Sequence, residues 1–259
     1  MKKIYKENSS QKYFLTFGKK RLFSAPEPAK IYLLGTDSRG RDLFSRILCG
    51  ARISLSVGFV GAFIAALIGL IVGIIAGYYG GVIDQILMRL AEFFMMIPGF
   101  YFLLALRSLL PPGLRSQEVY LLVVVILSFI GWGGIARVIR GMVLSIRQQE
   151  FIEASKAMGQ PDVRILLGHV APHTFSYLIV IVSASVPAYI LGESALSILG
   201  LGIQDPAVSW GNLLTEAVSI PYLSLHPWIL FPGIFIVGTS FCFYALADYL
   251  KGRMPDELA

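Results

Sequence analysis

Little charge and almost no cysteine mark this sequence before any motif does. Asp, Glu, Lys and Arg supply 15% of the 259 residues, against roughly a quarter in an average soluble domain. Apolar residues fill the gap: 56% of the chain is hydrophobic and the mean hydropathy is +0.70. They are gathered in long runs, which is the signature of a membrane protein. The two cysteines, Cys49 and Cys242, form no CxxC pair, and Cys242 sits inside an apolar run, which argues against a disulfide framework and a thiolate metal site. No GxxxxGK[ST] phosphate loop occurs, so the chain is not expected to bind ATP itself. A cleavable leader also lacks its apolar core. Met1-Lys2-Lys3 is followed only by the short run Tyr13 to Phe17, closed by Lys19, Lys20 and Arg21, so internal spans are expected to direct insertion.

Five apolar stretches reach the ~20 residues that cross a bilayer as helix. They lie near Ile53–Tyr78, Ile86–Leu110, Tyr120–Ile139, Phe175–Leu199 and Trp228–Leu250. Lipid offers no water to an open strand edge, so the expected class is all-α and multi-pass. Gly58, Gly61, Gly69, Gly73 and Gly77 punctuate the first span at spacings that let helix backbones approach closely. Pro98-Gly99 predicts a kink or break in the second. The chain thus divides into a basic segment with an interfacial helix (1–52), a transmembrane body (53–250) and a tail (251–259).

The net charge of +6 could suggest nucleic acid, but the basic residues flank apolar runs, as positive-inside loops do. Arg137, Arg140, Arg147, Lys156 and Arg164 fall between spans three and four, and Lys251 and Arg253 follow span five, whereas residues 200–227 contain no Lys or Arg. This places the 140–173 loop and the C-terminus in the cytoplasm. Five spans then leave the N-terminus outside, although residues 1–52 carry twelve Lys and Arg. Either an upstream span has been lost, or the segment is held outside against its charge.

The loop between spans three and four carries the most information. Without a breaker, helix is expected to continue through Arg147 to Met158. Gly159 supplies a stop, and Pro161-Asp162 opens a new helix to about Gly168 that ends at Pro172. Val163, Leu166 and Leu167 lie on it beside Arg164. A short helix on a glycine hinge suits receiving a push from a docked partner, but the pattern alone favours an interfacial helix resting on lipid headgroups.

Glu153-Ala154-Ser155, then Gly159, then Pro172 resembles the EAA signature of permease subunits of ATP-binding-cassette importers, with Ser155 for the second Ala and Ala171 where Leu is usual. Leu34-Gly35-Thr36-Asp37-Ser38-Arg39-Gly40-Arg41-Asp42 resembles the GTDxxGRD segment of oligopeptide and dipeptide permeases of the OppC/DppC type. Gly50 to Leu55, Ala76 to Gly81, Met88-Arg89, Ile97-Pro98-Gly99, Leu196 to Gly202 and Ser209-Trp210-Gly211-Asn212 follow in the family's order. The resemblance spans roughly 33–248.

It implies a type I importer core whose 153–172 loop is a coupling helix seated in a separate ATPase subunit. Glu153, Ala154, Ser155, Ala157, Gly159, Asp162, Arg164, Leu167 and Pro172 are its candidate residues; Glu153, Ala154 and Gly159 would shape the docking turn and Arg164 would lie at the contact. The implied partners are two ATPase subunits holding ATP and Mg, a homologous second permease, an extracytoplasmic substrate-binding protein and membrane lipid. The expected site is the bacterial inner membrane. Relatives usually begin with one further span, so the sequence is expected to be a shortened form or to start at an internal Met. The solute (peptide, nickel complex or other) is left open.

Other constellations carry less. Asp84, Arg89, Glu92 and Glu193 sit at membrane depth or its edge, where charges default to function. Arg89 and Glu92, three apart, can pair on one helix face. Glu92, Pro98 and Glu193 remain candidates for the translocation path or a subunit contact. His169 and His173 are four apart, but Pro172 stands between them and argues against a metal pair. Gly192-Glu193-Ser194 is an incomplete nucleophile pattern, and Gly131-Trp132-Gly133-Gly134 reads as packing. A self-sufficient secondary transporter or channel is the rival reading. It predicts broken helices in both halves of the chain, and only one break, Pro98-Gly99, is legible. A membrane enzyme would need a nucleophile or metal set, and none is legible.

Overall fold

The computed structural model describes residues 4–6, 12–14, 32–108 and 114–253. Near the N-terminus two short strands, β1 (Ile4–Lys6) and β2 (Lys12–Phe14), pair antiparallel with Tyr5 opposite Tyr13. The rest is helical: α1 (Leu43–Tyr79), α2 (Gly81–Met96), α3 (Gly99–Ser108), α4 (Ser116–Ile146), α5 (Glu150–Ala157), α6 (Asp162–Ile165), α7 (Ala171–Ile198), α8 (Trp210–Leu214), α9 (Ile220–Leu225) and α10 (Phe231–Lys251). Among the described residues, four helical runs are long and apolar enough to cross a membrane: Leu43–Tyr79, Ser116–Ile146, Asp162–Ile198 and Pro227–Lys251. The expected second span is divided into α2 and α3. Ile97 is extended there, with φ −74° and ψ 119°, because a following proline disfavours helical backbone.

The expected interfacial helix is not separate. Residues 43–52 are the first turns of α1, capped by Asp42, which accepts from the Ser45 amide at 3.3 Å. No proline interrupts the 37 residues, so the helix runs roughly 55 Å.

That long helix is the organising element, and its glycines decide what it touches. A Cβ at Gly69 would come within 2.7 Å of Ile135, one at Gly73 within 2.7 Å of the Ala136 carbonyl, and one at Gly77 within 2.7 Å of Val143. These three therefore seat α4 directly on the α1 backbone. Gly58 and Gly61 do the same for α7, against Val186, Ile190 and Tyr189. Ala62, Ala65, Ala66, Ala136, Ile139 and Ile190 are buried between the three helices. α10 sits at the edge, with Ile234, Val237 and Phe241 61–74% exposed.

Two expectations about the loop after α4 are corrected. Helix does not continue from Arg147 to Met158. α4 stops at Ile146, Gln149 is extended, and Arg147 turns back to donate from Nη1 to the Gly77 and Tyr78 carbonyls, both at 3.3 Å. That charged bond satisfies the C-terminus of α1 and diverts the chain. Nor does Pro172 end the next helix. Residues 162–198 form one helical run that widens at Leu166–Val170 into a single π turn, where the Ala171 amide donates to the Leu166 carbonyl. The wider pairing absorbs a proline that has no N–H to give.

Candidate functional site

The loop between α4 and α7 is built as an anchored inner face and an open outer one. Ile152, Ile165 and Val170 are fully enclosed and Ser155 is buried, its hydroxyl donating to the Phe151 carbonyl at 2.8 Å. Ser155 stands at the small inward position of the EAA turn, so its departure from alanine is accommodated by a local bond. Glu153, Ala154, Ala157, Gly159, Asp162, Arg164, Leu167 and Pro172 all lie on the exposed side. Met158, Val163 and Leu167 are 63–69% and 70% exposed, an apolar cluster set among Glu153, Lys156 and Arg164.

The turn itself requires glycine. Gly159 has φ +73° and, among the described residues, nothing within contact of a would-be Cβ, so backbone conformation demands it. Its amide donates to the Lys156 carbonyl at 2.9 Å and the Gln160 amide to the Ser155 carbonyl at 3.2 Å, closing α5. Pro161 then caps α6 with ψ 144°.

Three contacts fasten this turn to the end of α1. The Tyr78 hydroxyl donates to Asp162 at 2.8 Å, Lys156 Nζ lies 4.9 Å over the Tyr78 ring, and Arg147 holds the last α1 carbonyls. The contacts of Tyr78 and Arg147 were not legible in the sequence: Arg147 reads there only as a positive-inside charge, and the Ala76 to Gly81 motif is visible without its partner 84 residues away. Gly80 and Gly81 both have positive φ and make the α1–α2 corner. His169 and His173 flank the Phe151 ring at 6.1 and 5.4 Å between centroids, so they pack on an aromatic.

The candidate path residues do not converge. Glu92 is half-exposed and joins Arg89 at 3.0 Å and Arg137 at 3.4 Å, while Asp84 is paired with Arg140 through Nε at 2.9 Å and through Nη2. These groups line a charged recess of about 850 Å³ between α2 and α4. Pro98 is exposed at the α2–α3 break. Glu193 faces no path within this chain: it is fully buried, accepting from Ser197 at 2.6 Å and Ser209 at 2.7 Å.

At the other end of α1, the GTDxxGRD segment folds around Asp37. Asp37 accepts from the Arg39 and Arg41 amides at 3.0 and 2.8 Å and pairs with Arg41 at 2.6 Å and Arg46 at 3.1 Å. Asp205 meets Arg39 at 2.8 Å, Arg41 at 3.3 Å and Arg46 at 3.1 Å. Partial burial lowers the Arg41 pKa, but its hydrogen bond and charge interaction with Asp37, joined by Asp205, outweigh this and hold it above the ordinary value. Burial, with the nearby negative Glu216 and Asp37, pushes the Tyr222 hydroxyl up. Each residue of Ser209-Trp210-Gly211-Asn212 has a contact: Ser209 caps α8, Trp210 Nε1 donates to the Ile47 carbonyl at 3.0 Å, Gly211 lies against the Ser194 backbone, and Asn212 donates to the Ile203 carbonyl at 3.0 Å.

Residues 69–255 match the protein family described as binding-protein-dependent transport system inner membrane component. The chain is 41% identical over 235 residues to the oligopeptide transport system permease protein OppC of Haemophilus influenzae, covering 90% of this chain and 73% of that protein. It is 41% identical over 232 residues to the dipeptide transport system permease protein DppC of Bacillus subtilis, covering 89% and 70%. Among solved structures, an inward-facing conformation of the MetNI methionine ABC transporter superposes with a TM-score of 0.64 at 19% identity, over 82% of this chain and 98% of that one. An amino acid ABC transporter with histidines superposes at 0.56 and 17% identity, over 82% and 95%. At these identities the structural likeness carries the fold.

Proposed function

Because the chain belongs to the inner-membrane components of binding-protein-dependent transport systems, and is the permease subunit of an ATP-binding-cassette importer, we propose that it moves di- and oligopeptides inward, driven through the 153–172 loop. It is not an enzyme: in this class ATP hydrolysis resides in separate subunits, and a second permease completes the membrane pore. Membership also sets aside the self-sufficient secondary transporter. The peptide substrate is favoured by the relatives named for oligopeptide and dipeptide transport. An extracytoplasmic binding protein would deliver the solute. The loop and the C-terminus lie in the cytoplasm on the positive-inside argument, with Arg140, Arg147, Lys156 and Arg164 on that side.

The observation that carries the coupling reading is the loop's split character: enclosed Ile152, Ile165 and Val170 on one side, outward Met158, Val163 and Leu167 on the other. An apolar cluster of that kind, ringed by charge, suits a protein groove. A push there has two direct routes into the membrane. One is the helical run 162–198, which leads from the loop through the π turn at Leu166–Val170 and past Pro187 into α7. The other is Tyr78, which ties Asp162 and Lys156 to the end of α1. Closure of the ATPase pair would thus bias the helices between inward-open and outward-open arrangements. Bound ATP and Mg belong to the ATPase subunits in this reading.

Co-purification tests it. An ATPase subunit should accompany the wild-type permease and be lost on Gly159→Pro or Glu153→Lys. Retention of the ATPase by both variants would overturn the docking assignment.

A further inference from the structure

A cavity of about 340 Å³ opens beside the α2–α3 break, within the ~300–1,000 Å³ range of small-molecule sites. Gly99, Gly131 and Gly192 line it from three different helices, α3, α4 and α7, with Leu127 and Ile130 completing an apolar wall. The glycines bring the three helices close at the cavity wall: a Cβ would meet Ile130 at 3.3 Å from Gly99 and Leu127 at 3.0 Å from Gly192.

The second observation is the Tyr189 hydroxyl. Tyr189 lines the same cavity and is 6% exposed, yet its hydroxyl oxygen has no hydrogen-bond partner among the described residues. The ring is held close against the backbone at two glycines. A Cβ at Gly61 would lie 2.6 Å from Cδ1, and one at Gly131 would overlap the hydroxyl oxygen. The other hydroxyl in the wall, Ser185, is already committed to the Ile181 carbonyl at 2.6 Å. A rigidly held, buried hydroxyl without a partner is costly unless something periodically supplies one. A lipid tail supplies none. A charged group would find no counterion in this wall. An amide or carbonyl flanked by an uncharged side chain satisfies both constraints.

Placement points the same way. Irregular backbone at membrane depth is tolerated where it lines a cavity, and Gly99 follows directly on the extended Ile97-Pro98 step. Tyr189 sits on α7, in the helical run that starts in the 153–172 loop, so the pocket's shape would follow the state of the motor.

We propose that this cavity is a transient solute pocket on the translocation path, receiving an uncharged side chain of the transported molecule while Tyr189 hydrogen-bonds the adjoining backbone carbonyl. The proposal rests on the peptide reading above and names what part of a peptide the membrane domain would feel.

The test uses the complete importer in proteoliposomes, with the exposed Cys49 and Cys242 replaced by serine and Ala188, exposed in the cavity wall, changed to cysteine. A charged, water-soluble methanethiosulfonate should modify Ala188→Cys at a rate that differs between nucleotide-free and vanadate-trapped transporter, and a neutral tripeptide such as tri-alanine should slow it. Modification only by a lipid-soluble maleimide would overturn the pocket in favour of a lipid contact. No modification by either reagent would overturn it in favour of a permanent subunit contact, and modification that a transported tripeptide does not slow would overturn it as a binding site. Tripeptide uptake by the unmodified importer is measured in parallel. Uptake without labelling removes the pocket and leaves the peptide reading; labelling without uptake removes the peptide reading and keeps a water-filled pocket. In an independent readout, Tyr189→Phe should raise KM for a neutral tripeptide roughly three- to tenfold with kcat and the yield of assembled importer unchanged. An unchanged KM overturns the role of the hydroxyl.

Discussion

The two ends of α1 are held by opposite strategies. Around Leu43, polar groups are turned inward and mostly paired: Asp37 is 5% exposed among arginines, and Glu193 accepts from Ser197 and Ser209 through one carboxylate oxygen, the other having no partner among the described residues. Around Tyr79, apolar groups are turned outward and left uncovered, on a loop fastened by a few polar contacts to Tyr78 and the α1 carbonyls. One end is closed by contacts within the chain; the other leaves apolar side chains exposed, which the proposed docking would cover. Under that proposal, one side is moved while the other holds its shape.

Substitutions can break the comparison. The largest effect is expected for Gly35→Ala. Its φ is +75° and a Cβ would meet the Trp228 indole at 2.6 Å, so strain and overpacking together should cost about 2–4 kcal/mol. Thermal unfolding of the detergent-solubilised complex should report it as a marked drop in Tm. Glu193→Ala comes next, at about 1–3 kcal/mol, because two buried hydroxyls lose their acceptor; Glu193→Gln, which keeps an acceptor, should recover most of the loss in the same assay.

Tyr78→Phe should cost only about 1 kcal/mol of stability, yet lower the ratio of solute moved to ATP hydrolysed while the ATPase stays bound. If Tyr78→Phe instead destabilises as strongly as Glu193→Ala with coupling intact, the proposed contrast between the two ends fails. Smallest is Arg39→Ala. Its side chain is 65% exposed, so the Asp205 pair should contribute under about 1 kcal/mol and fade with added salt.

The comparison also explains what was legible in the sequence. Spans, the Pro98-Gly99 break and the glycine seams of α1 were readable because each depends on local composition or spacing. The order of short motifs located both ends of α1, and the structure gives Gly35, Gly50, Gly77, Gly211 and Trp210 close contacts there. What was not legible was every decision made by a distant partner. Arg147 ends α4 by reaching Gly77 and Tyr78, and Glu193 is claimed by a serine beyond the next loop. Nor did the sequence announce that a widened turn would carry helix through Pro172. Tyr189 was passed over because its distinction is a missing partner, visible only once its neighbours are placed.

That widened turn at Leu166–Val170 has a further consequence. Each residue of an α-helix advances the azimuth by about 100°, so a π turn inserts an angular offset between the loop and everything beyond it. Val170 onward is dialled to a heading that a regular helix starting at Asp162 would miss. Relaxing the turn to regular helix would swing the far side chains, Tyr189 and Glu193 among them, off their present bearings. The turn is therefore a phase setting that takes up one residue beyond a regular helix: a one-residue deletion between Leu166 and Val170 would restore regular pairing with the far side chains on their present bearings, whereas straightening the turn at full length would not.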